Sequence, residues 1–267
     1  MITSTSNQKI KRLVNLQKKR KLRDSEGVFL VEGILMFREV PVKELQEVYV
    51  SESFYEKEKN IVDEICKKSG VRSEILTDNV FSHVSDTQTP QGVLCVVKQR
   101  GKSGSVEQMW ENKKETPFLM ILDNLQDPGN MGTILRTAEA AGVTGIVMSK
   151  DCVDIYNSKV IRSTMGSIFR MPFLYVENLE EAILKMKAAG IKTYAAHLDG
   201  KQSYDEPNYK EASAFMIGNE GNGLRDEVAK LADTYIIIPM EGQVESLNAA
   251  IAATVLMFET SRQRRRK

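Results

Sequence analysis

The sequence is poor in the residues that build metal centres and disulfide frameworks. It has three cysteines, Cys66, Cys95 and Cys152, and two histidines, His83 and His197. Cysteines that are odd in number and far apart predict reduced thiols rather than disulfides, and therefore a cytoplasmic protein. No group of cysteines and histidines has the spacing of metal ligands, so we expect no metal cofactor.

Long apolar runs are also missing. No stretch reaches the ~20 apolar residues of a membrane span, and residues 247–258 come closest. Lys and Arg interrupt the first apolar residues, so no secretory signal peptide is expected. A transit peptide would also be basic and poor in acids, but Ile10, Leu13 and Val14 fit an ordinary amphipathic helix instead.

Acidic residues are absent from both ends of the chain. Residues 1–23 contain eight Lys or Arg and residues 262–267 contain five, so the remaining residues carry −12 although the whole chain carries +1. Basic ends on an acidic body favour a polyanionic partner. The alternative is that both ends are solvated tails without a partner.

The 267 residues, of which 42% are hydrophobic, are enough for two ordinary domains. Helices and strands alternate through residues 1–100, which predicts a small α/β domain. Residues 101–117 are polar, contain Gly, Ser and Lys, and are predicted to be the linker. Alternation resumes in residues 118–267, which predicts a second α/β domain with a mainly parallel sheet and helices on both faces.

Three strand–turn–helix segments of the second domain place polar residues at the carboxyl ends of strands. The first follows the strand 118–122, the second is the glycine-rich turn 218–223, and the third follows a β-branched strand that stops at Pro239. Ligands of open α/β sheets bind where such loops gather. We therefore expect the functional site at these three turns.

Arg136 lies on the helix predicted after the first turn. A guanidinium near a helix start makes a good anion site. The alternative is a surface ion pair with Glu139, the only acidic residue of that helix.

The glycine-rich turn reads G-x-x-G-x-G rather than the dinucleotide order G-x-G-x-x-G, so Rossmann-type phosphate binding has weak support. Its glycines indicate either a backbone that closely approaches another group or a turn that needs positive φ. Glu220 within the turn is only an acceptor when ionised, and it suits fixing a loop or a basic partner.

The last helix, predicted to begin near Ser246, is apolar nearly all round and is therefore expected to be buried. Ser246 is a candidate cap for this helix, whereas Asn248 near its buried start needs hydrogen-bond partners. His197 ends a strand and is a candidate ligand contact, with a hydrogen-bonded core or edge histidine as the alternative.

Together the three segments resemble the motifs of the SpoU (TrmH-type) RNA ribose methyltransferases, in family order. The first reads Asn130-x-Gly132-x-x-x-Arg136-x-Ala138. The second reads Ile217-Gly218-Asn219-Glu220-x-x-Gly223-Leu224. The third reads Ile238-Pro239-Met240-x-Gly242-x-x-Glu245-Ser246-Leu247-Asn248-x-Ala250-x-Ala252. Residues 29–33 and 89–93 look like segments of the family's substrate-binding domain, which is similar to the ribosomal protein L30e fold.

The resemblance implies a SPOUT α/β fold with a deep trefoil knot at its carboxyl end, S-adenosylmethionine as methyl donor, an RNA substrate and a homodimer. It implies an active site made of Asn130, Arg136, Glu220, Ser246 and Asn248. The residues expected to contact the cofactor are Gly218, Asn219, Ile238, Met240, Leu247 and His197.

The residue types suggest roles for four of these five residues. Arg136 stabilises charge and positions a phosphate rather than acting as a base, because a guanidinium is effectively never deprotonated in proteins. Asn130 would orient Arg136 or the ribose, Glu220 would hold the arginine or the loop, and Asn248 would secure the turn beside the cofactor.

The sequence therefore predicts an RNA 2′-O-ribose methyltransferase that acts on ribosomal RNA or transfer RNA. One alternative is a non-catalytic RNA-binding or ribosome assembly factor on the same fold. The other is a nucleotide-cofactor oxidoreductase, which only the glycine-rich turn supports.

Overall fold

The computed structural model describes residues 1–101, 104–111 and 114–265. These divide into two compact units. The first comprises Met1–Arg100 and Asp154–Phe169, and the second comprises Gly101–Val153 and Arg170–Lys267. Some residues of the predicted linker and of the basic carboxyl end lie outside the described residues: Lys102, Ser103, Asn112, Lys113, Arg266 and Lys267.

The first unit is built on a four-stranded sheet of order β1-β4-β2-β3. Strand β4 runs antiparallel to β1 and β2, whereas β3 is parallel to β2. The elements in chain order are α1 (Gln8–Lys18), α2 (Arg20–Glu26), β1 (Val28–Glu32), α3 (Ile34–Glu39), β2 (Leu45–Ser51), α4 (Glu52–Ser69), β3 (Ser73–Leu76), α5 (Asp78–Val84) and β4 (Val93–Lys98).

The amino-terminal segment forms two helices, α1 and α2, where the pattern around Ile10, Leu13 and Val14 predicts a single amphipathic helix. Asn7 caps α1 by accepting the Lys9 N–H, and Ile10 and Leu13 are fully buried, which confirms the amphipathic pattern. Lys19 adopts an extended conformation and separates α1 from α2.

Arg23 explains the break between α1 and α2. Its guanidinium donates to the carbonyls of Leu16 (2.6 Å) and Gln17 (2.9 Å) at the end of α1, and it pairs with Asp154 at 2.5 Å. Arg23 is only 4% exposed. The expectation that the whole segment 1–23 is free to contact a polyanion is therefore wrong for Arg23.

The second unit holds a seven-stranded sheet of order β7-β6-β5-β10-β8-β11-β9. Every adjacent pair is parallel. The remaining elements in chain order are β5 (Phe118–Leu122), α6 (Pro128–Ala141), β6 (Gly145–Ser149), α7 (Ser158–Thr164, in the first unit), β7 (Phe173–Val176), α8 (Leu179–Ala188), β8 (Lys192–Ala196), β9 (Gln202–Ser203), β10 (Ser213–Ile217), α9 (Asp226–Ala229), β11 (Thr234–Ile237) and α10 (Ala249–Arg265).

The central strands β5 and β10 are buried at every residue. Continuous apolar strands of this kind are typical of parallel sheets that are covered on both faces. The predicted fold class is thus confirmed: a mainly parallel α/β sheet domain, with a smaller α/β unit before it. The trefoil knot and the L30e-like fold stay predictions.

Helix α10 begins at Ala249 and is not capped by Ser246. The Asn248 side chain caps it instead, accepting the N–H groups of Ala250 (2.9 Å) and Ile251 (3.3 Å). The predicted all-round burial is wrong, because Ile251 is 50% and Phe258 42% exposed. Among the described residues no helix combines the length and apolar character needed to cross a membrane.

The basic carboxyl end is partly folded inward. Arg264 donates to the carbonyls of Thr116, Pro117, Tyr209 and Glu211. Its guanidinium also lies 5.0 Å from the centre of the Phe118 ring. Arg264 therefore joins neighbouring chain segments of the second unit, and the prediction that it lies in a free basic tail is wrong.

Candidate active site

Two loops at the carboxyl edge of the second sheet form the framework of the site. Residues 123–127, here called the Asp loop, follow β5, and residues 218–223, here called the Gly turn, follow β10. Because β5 and β10 are adjacent parallel strands, their loops leave the sheet side by side. The Asp123 N–H extends the ladder by donating to the Ile217 carbonyl at 2.9 Å.

Glu220 of the Gly turn binds the Asp loop. Its carboxylate accepts the N–H groups of Gln126 (3.0 Å) and Asp127 (2.8 Å), and the side-chain amide of Asn130 (3.0 Å). Burial raises the pKa of Glu220, but the hydrogen bonds from Asn130, Gln126 and Asp127 outweigh it and leave the pKa below its ordinary value. Glu220 is therefore an ionised acceptor that holds a loop.

Asn130 lies in the first turn of α6 and connects Glu220 to α10. Helix α6 begins at Pro128, and Asp127 caps it by accepting the Asn130 N–H at 2.8 Å. The Asn130 side-chain oxygen accepts a hydrogen bond from the Asn248 amide at 3.0 Å. Side chains from all three predicted motif segments thus form one hydrogen-bonded chain.

The Gly turn needs its glycines for its own backbone geometry. A Cβ on Gly218 would lie 2.1 Å from the Gly223 carbonyl carbon, and Gly223 has a φ of +70°. The Asn219 side chain accepts the N–H groups of Gly221 and Asn222 across the turn. Both explanations for the glycines therefore hold: close backbone approach at Gly218 and positive φ at Gly223.

A cavity of about 370 Å³ opens beside the Gly turn. The six residues that the sequence predicts as cofactor contacts all line it, and so do Glu220 and Ser246. Other lining residues were not predicted as cofactor contacts, including Leu198 and the motif residues Leu224 and Ala252. Apolar side chains and the backbone of a glycine turn fit a ligand with a flat apolar part and polar ends.

His197 faces this cavity and is also held by its neighbours. Its Nδ1 accepts the Asp199 N–H at 3.2 Å, and its ring centre lies 4.8 Å from that of Tyr235. The two interpretations of His197 from the sequence are therefore compatible.

Arg136 is exposed on α6, and the other active-site candidates do not touch it. Within the described part of the chain its guanidinium has no hydrogen-bond or ion-pair partner. The alternative of a surface pair with Glu139 is wrong, since Glu139 pairs with Arg170. Glu220 and Asn130 bind each other rather than Arg136, and Ser246 is exposed at the cavity.

Sequence reasoning also missed Asp123 and Arg225. Asp123 is fully buried at the end of β5, and its carboxylate binds the Arg225 guanidinium. The available signal was an acid placed directly after five apolar residues, where a buried carboxylate needs a cationic partner.

Comparisons with known proteins agree with this architecture. The model of the SpoU rRNA Methylase family matches residues 117–258, and that of the MRM3-like substrate binding domain matches residues 7–95. The chain is 33% identical over 258 residues to the 23S rRNA (guanosine(2553)-2′-O)-methyltransferase RlmP of Bacillus subtilis, covering 96% of this chain and 97% of the relative.

Two solved structures with bound S-adenosylmethionine (AdoMet) are also similar. One is an rRNA methyltransferase from Sinorhizobium meliloti, with a TM-score of 0.86 and 30% identity over 98% of this chain and 97% of that chain. The other is the SpoU methyltransferase AviRb from Streptomyces viridochromogenes, with a TM-score of 0.83 and 25% identity over 97% and 98% of the two chains.

Replacing Glu220 tests the clasp between the two loops. The folded-state pKa of Glu220 lies below its ordinary value of 4.5, so the carboxylate stabilises the fold above that value. This contribution is lost as the pH falls through the folded-state pKa. We therefore expect Glu220→Gln to lower the urea midpoint at about pH 7 and to lower it less at about pH 3, because protonation removes the contribution of the wild-type carboxylate as the pH falls.

The matched control for this test is Glu177→Gln. Glu177 forms an exposed ion pair with Lys150 at 3.2 Å in the same unit, so its replacement is expected to leave the midpoint nearly unchanged. A Glu220→Gln deficit of equal size at both pH values would contradict the assigned role of the ionised carboxylate.

Proposed function

The chain belongs to the SpoU rRNA methylase family and is an S-adenosylmethionine-dependent RNA 2′-O-ribose methyltransferase, and we propose that its substrate is ribosomal RNA. Relatives named as 23S rRNA methyltransferases support ribosomal RNA over transfer RNA. A ribosomal substrate and three free buried cysteines support the proposed cytoplasmic location. We propose residues 1–100 as the RNA-binding domain, 101–117 as the linker and 118–267 as the methyltransferase domain. The compact units differ from these bounds, because Gly101–Val153 falls in the second unit and Asp154–Phe169 in the first.

One observation in this structure, independent of the relatives, supports the proposed function. The side chains of Asn248, Asn130 and Glu220 form a hydrogen-bonded chain that ends at the edge of the cavity. It joins the three motif segments that resemble the family. A folding scaffold alone does not require three motif segments to meet at a cavity edge, whereas a cofactor site beside a reacting group does.

The residues present fit S-adenosylmethionine. The Gly turn offers backbone groups, while Ile238, Met240 and Leu247 offer an apolar wall. The bound cofactor supplies a methyl group that its sulfonium already activates. The protein must then place a ribose hydroxyl in line with that methyl and stabilise the negative charge that develops on oxygen.

Arg136 is the candidate for charge stabilisation. It is exposed and, within the described residues, its charge has no partner, so it is available to an RNA phosphate or to the developing oxyanion. Glu220 is a poor base, because three hydrogen bonds stabilise its ionised form and so lower its affinity for a proton. We propose that Asn130, Glu220 and Asn248 position the loops, that Ser246 faces the cavity, and that Arg136 acts on the substrate.

The alternatives from the sequence have less support. A nicotinamide cofactor would need the dinucleotide glycine order, which the Gly turn lacks. A non-catalytic assembly factor would bind S-adenosylmethionine and RNA without transferring the methyl group, and the curated relatives are named as methyltransferases.

Arg136→Ala is expected to lower methyl transfer by about a hundredfold while cofactor affinity survives. Arg136→Lys keeps the charge but loses the planar fork, so it should remain badly impaired. Transfer is measured on ribosomal RNA by nucleoside mass spectrometry, and cofactor affinity by calorimetry. Lys210→Ala, which removes an exposed cation of the same unit, is the control. A methyl on a base would refute the reaction class, and an active Arg136→Ala enzyme would remove Arg136 from the mechanism.

Capture of RNA phosphates is proposed for part of the basic amino-terminal segment. Lys9 pairs with Glu74, and Arg12 with Glu26 and Glu47. The cations left exposed and without an ion-pair partner among the described residues are Lys11, Lys18, Lys19 and Lys21. These lysines, rather than the whole segment, are available to phosphates.

Replacing Lys18, Lys19 and Lys21 together with Gln tests this surface better than deleting residues 1–23, which would remove the buried Ile10 and Leu13. We expect weaker RNA binding and a flatter dependence on salt, by roughly 0.7–0.9 per lost phosphate contact. The control replaces the exposed Lys57, Lys59 and Lys67 of α4 with Gln, for the same loss of charge in the same unit. Equal salt slopes in both variants would show that the three lysines are only solvated.

We propose a homodimer whose interface includes the outer faces of α10 and α6. Ile251 and Phe258 are both apolar and exposed on α10, seven residues apart and thus on one helix face. A second copy related by two-fold symmetry would cover this face.

The dimer is tested by light scattering at micromolar concentration. Wild type is expected to have the mass of two chains, and Ile251→Lys combined with Phe258→Lys is expected to give monomer, because two buried charges would oppose each other across the axis. Leu184→Lys, at another exposed apolar residue of the same unit, should leave the dimer intact. A monomeric wild type would contradict the assembly.

A further inference from the structure

The buried carboxylate of Asp123 is fixed by one arginine. It has no exposed surface and accepts the Arg225 backbone N–H (3.0 Å), Nε (2.9 Å) and Nη2 (2.5 Å). A buried carboxylate without compensation is very unfavourable, so this end of β5 depends on Arg225. Both side-chain donors of the guanidinium converge on Asp123 Oδ1, while the backbone N–H binds Oδ2, and a lysine cannot reproduce this fixed pair of donors.

Arg225 also follows directly after the cavity-lining part of the chain. Residues 217–224 all line the cavity, and Arg225 is the next residue. The pair therefore connects the carboxyl end of the Gly turn to the start of the Asp loop. Glu220 makes the second connection near the middle of the turn.

The Asp loop between these two connections is strained. Asn124, which follows Asp123, has a φ of +54°, a conformation unusual for a residue other than glycine. Its N–H donates to the Ser149 hydroxyl at 2.9 Å, and its carbonyl accepts the Asn219 side chain at 2.9 Å. Strain of this kind persists only where the surrounding contacts over-determine the backbone.

We propose that Arg225, held on Asp123, is a positioning residue for methyl transfer. The Arg225–Asp123 pair sets the distance between the Gly turn, which lines the cavity, and the Asp loop, which leads into α6 and Asn130. Without it the Gly turn loses the anchor at its carboxyl end and keeps those made by Asn219 and Glu220, so residues 221–224 gain freedom to move. This inference rests on the proposed function of the cavity, but its first readout does not need activity.

The first readout is amide hydrogen exchange in the ligand-free protein. We expect Arg225→Gln to exchange faster across residues 218–224, with little change in the first unit. Calorimetry is then expected to show weaker S-adenosylmethionine binding. At saturating cofactor and RNA, kcat is expected to fall by about tenfold to a hundredfold, because small misplacements of reacting groups cost that much. RNA affinity is expected to stay at the wild-type value.

Arg225→Lys separates positioning from simple stability. It keeps a cation beside Asp123, so it should recover most of the melting temperature that Arg225→Gln loses, yet it should not recover kcat. It also carries the test if Arg225→Gln fails to fold. Lys210→Gln removes an exposed cation of the same unit and should behave as wild type.

Two outcomes would overturn the inference. One is a folded Arg225 variant with wild-type exchange in residues 218–224 and wild-type cofactor affinity. The other is recovery of kcat in Arg225→Lys in proportion to its melting temperature, which would make the pair merely structural. If wild type itself transfers no methyl to RNA, the proposed function fails instead, and exchange and cofactor affinity still decide the role of Arg225.

Discussion

The site depends on a clasp between two adjacent loops of a parallel sheet. Two carboxylates make it, one contributed by each loop, and each binds donors on the other segment. Asp123 of the Asp loop is bound by Arg225 beyond the Gly turn, and Glu220 of the Gly turn is bound by the Asp loop and Asn130. The two loops are thus joined at two points, in addition to the hydrogen bonds by which Asn219 closes the Gly turn internally. Backbone N–H groups at the start of α6 find acceptors in this clasp, which also places the cavity beside them.

This arrangement separates side chains that are bound within the protein from the one motif side chain that we propose acts on substrate. Asn130, Glu220 and Asn248 are all committed to hydrogen bonds within the protein. Arg136 has no such commitment among the described residues. A guanidinium that is not used by the fold keeps its full capacity for a phosphate or an oxyanion, whereas a positioning amide loses function when it is freed. Residues of the same set of motifs therefore differ in whether their side chains are already bound within the protein.

The basic ends of the chain show that a count of charges does not give the number of charges available to a partner. Composition indicated a polyanionic partner, yet several of the cations are used inside the fold. Arg23 and Arg264 bind backbone carbonyls, because a guanidinium offers several donors to carbonyls that the ends of elements leave unpaired. Composition counts charges but does not show which of them have partners, so the surface available to RNA is smaller than the counts imply.

The sequence by itself determined the fold class and the location of the site. Apolar runs such as 118–122 and 214–217 read as parallel strands because burial on both faces removes alternation. Glu220 stood out in a turn at a strand end, Asn248 near the start of a predicted buried helix, and Asn130 through its motif. Only the tertiary structure decided that Asn130 bonds to both other residues, that Glu139 pairs with Arg170, and that Asp123 requires Arg225. These pairings join residues up to 118 positions apart. The local sequence pattern determines helix and strand propensity and hydrophobic periodicity. The partner of a distant side chain is determined by the strand packing that brings the two loops side by side.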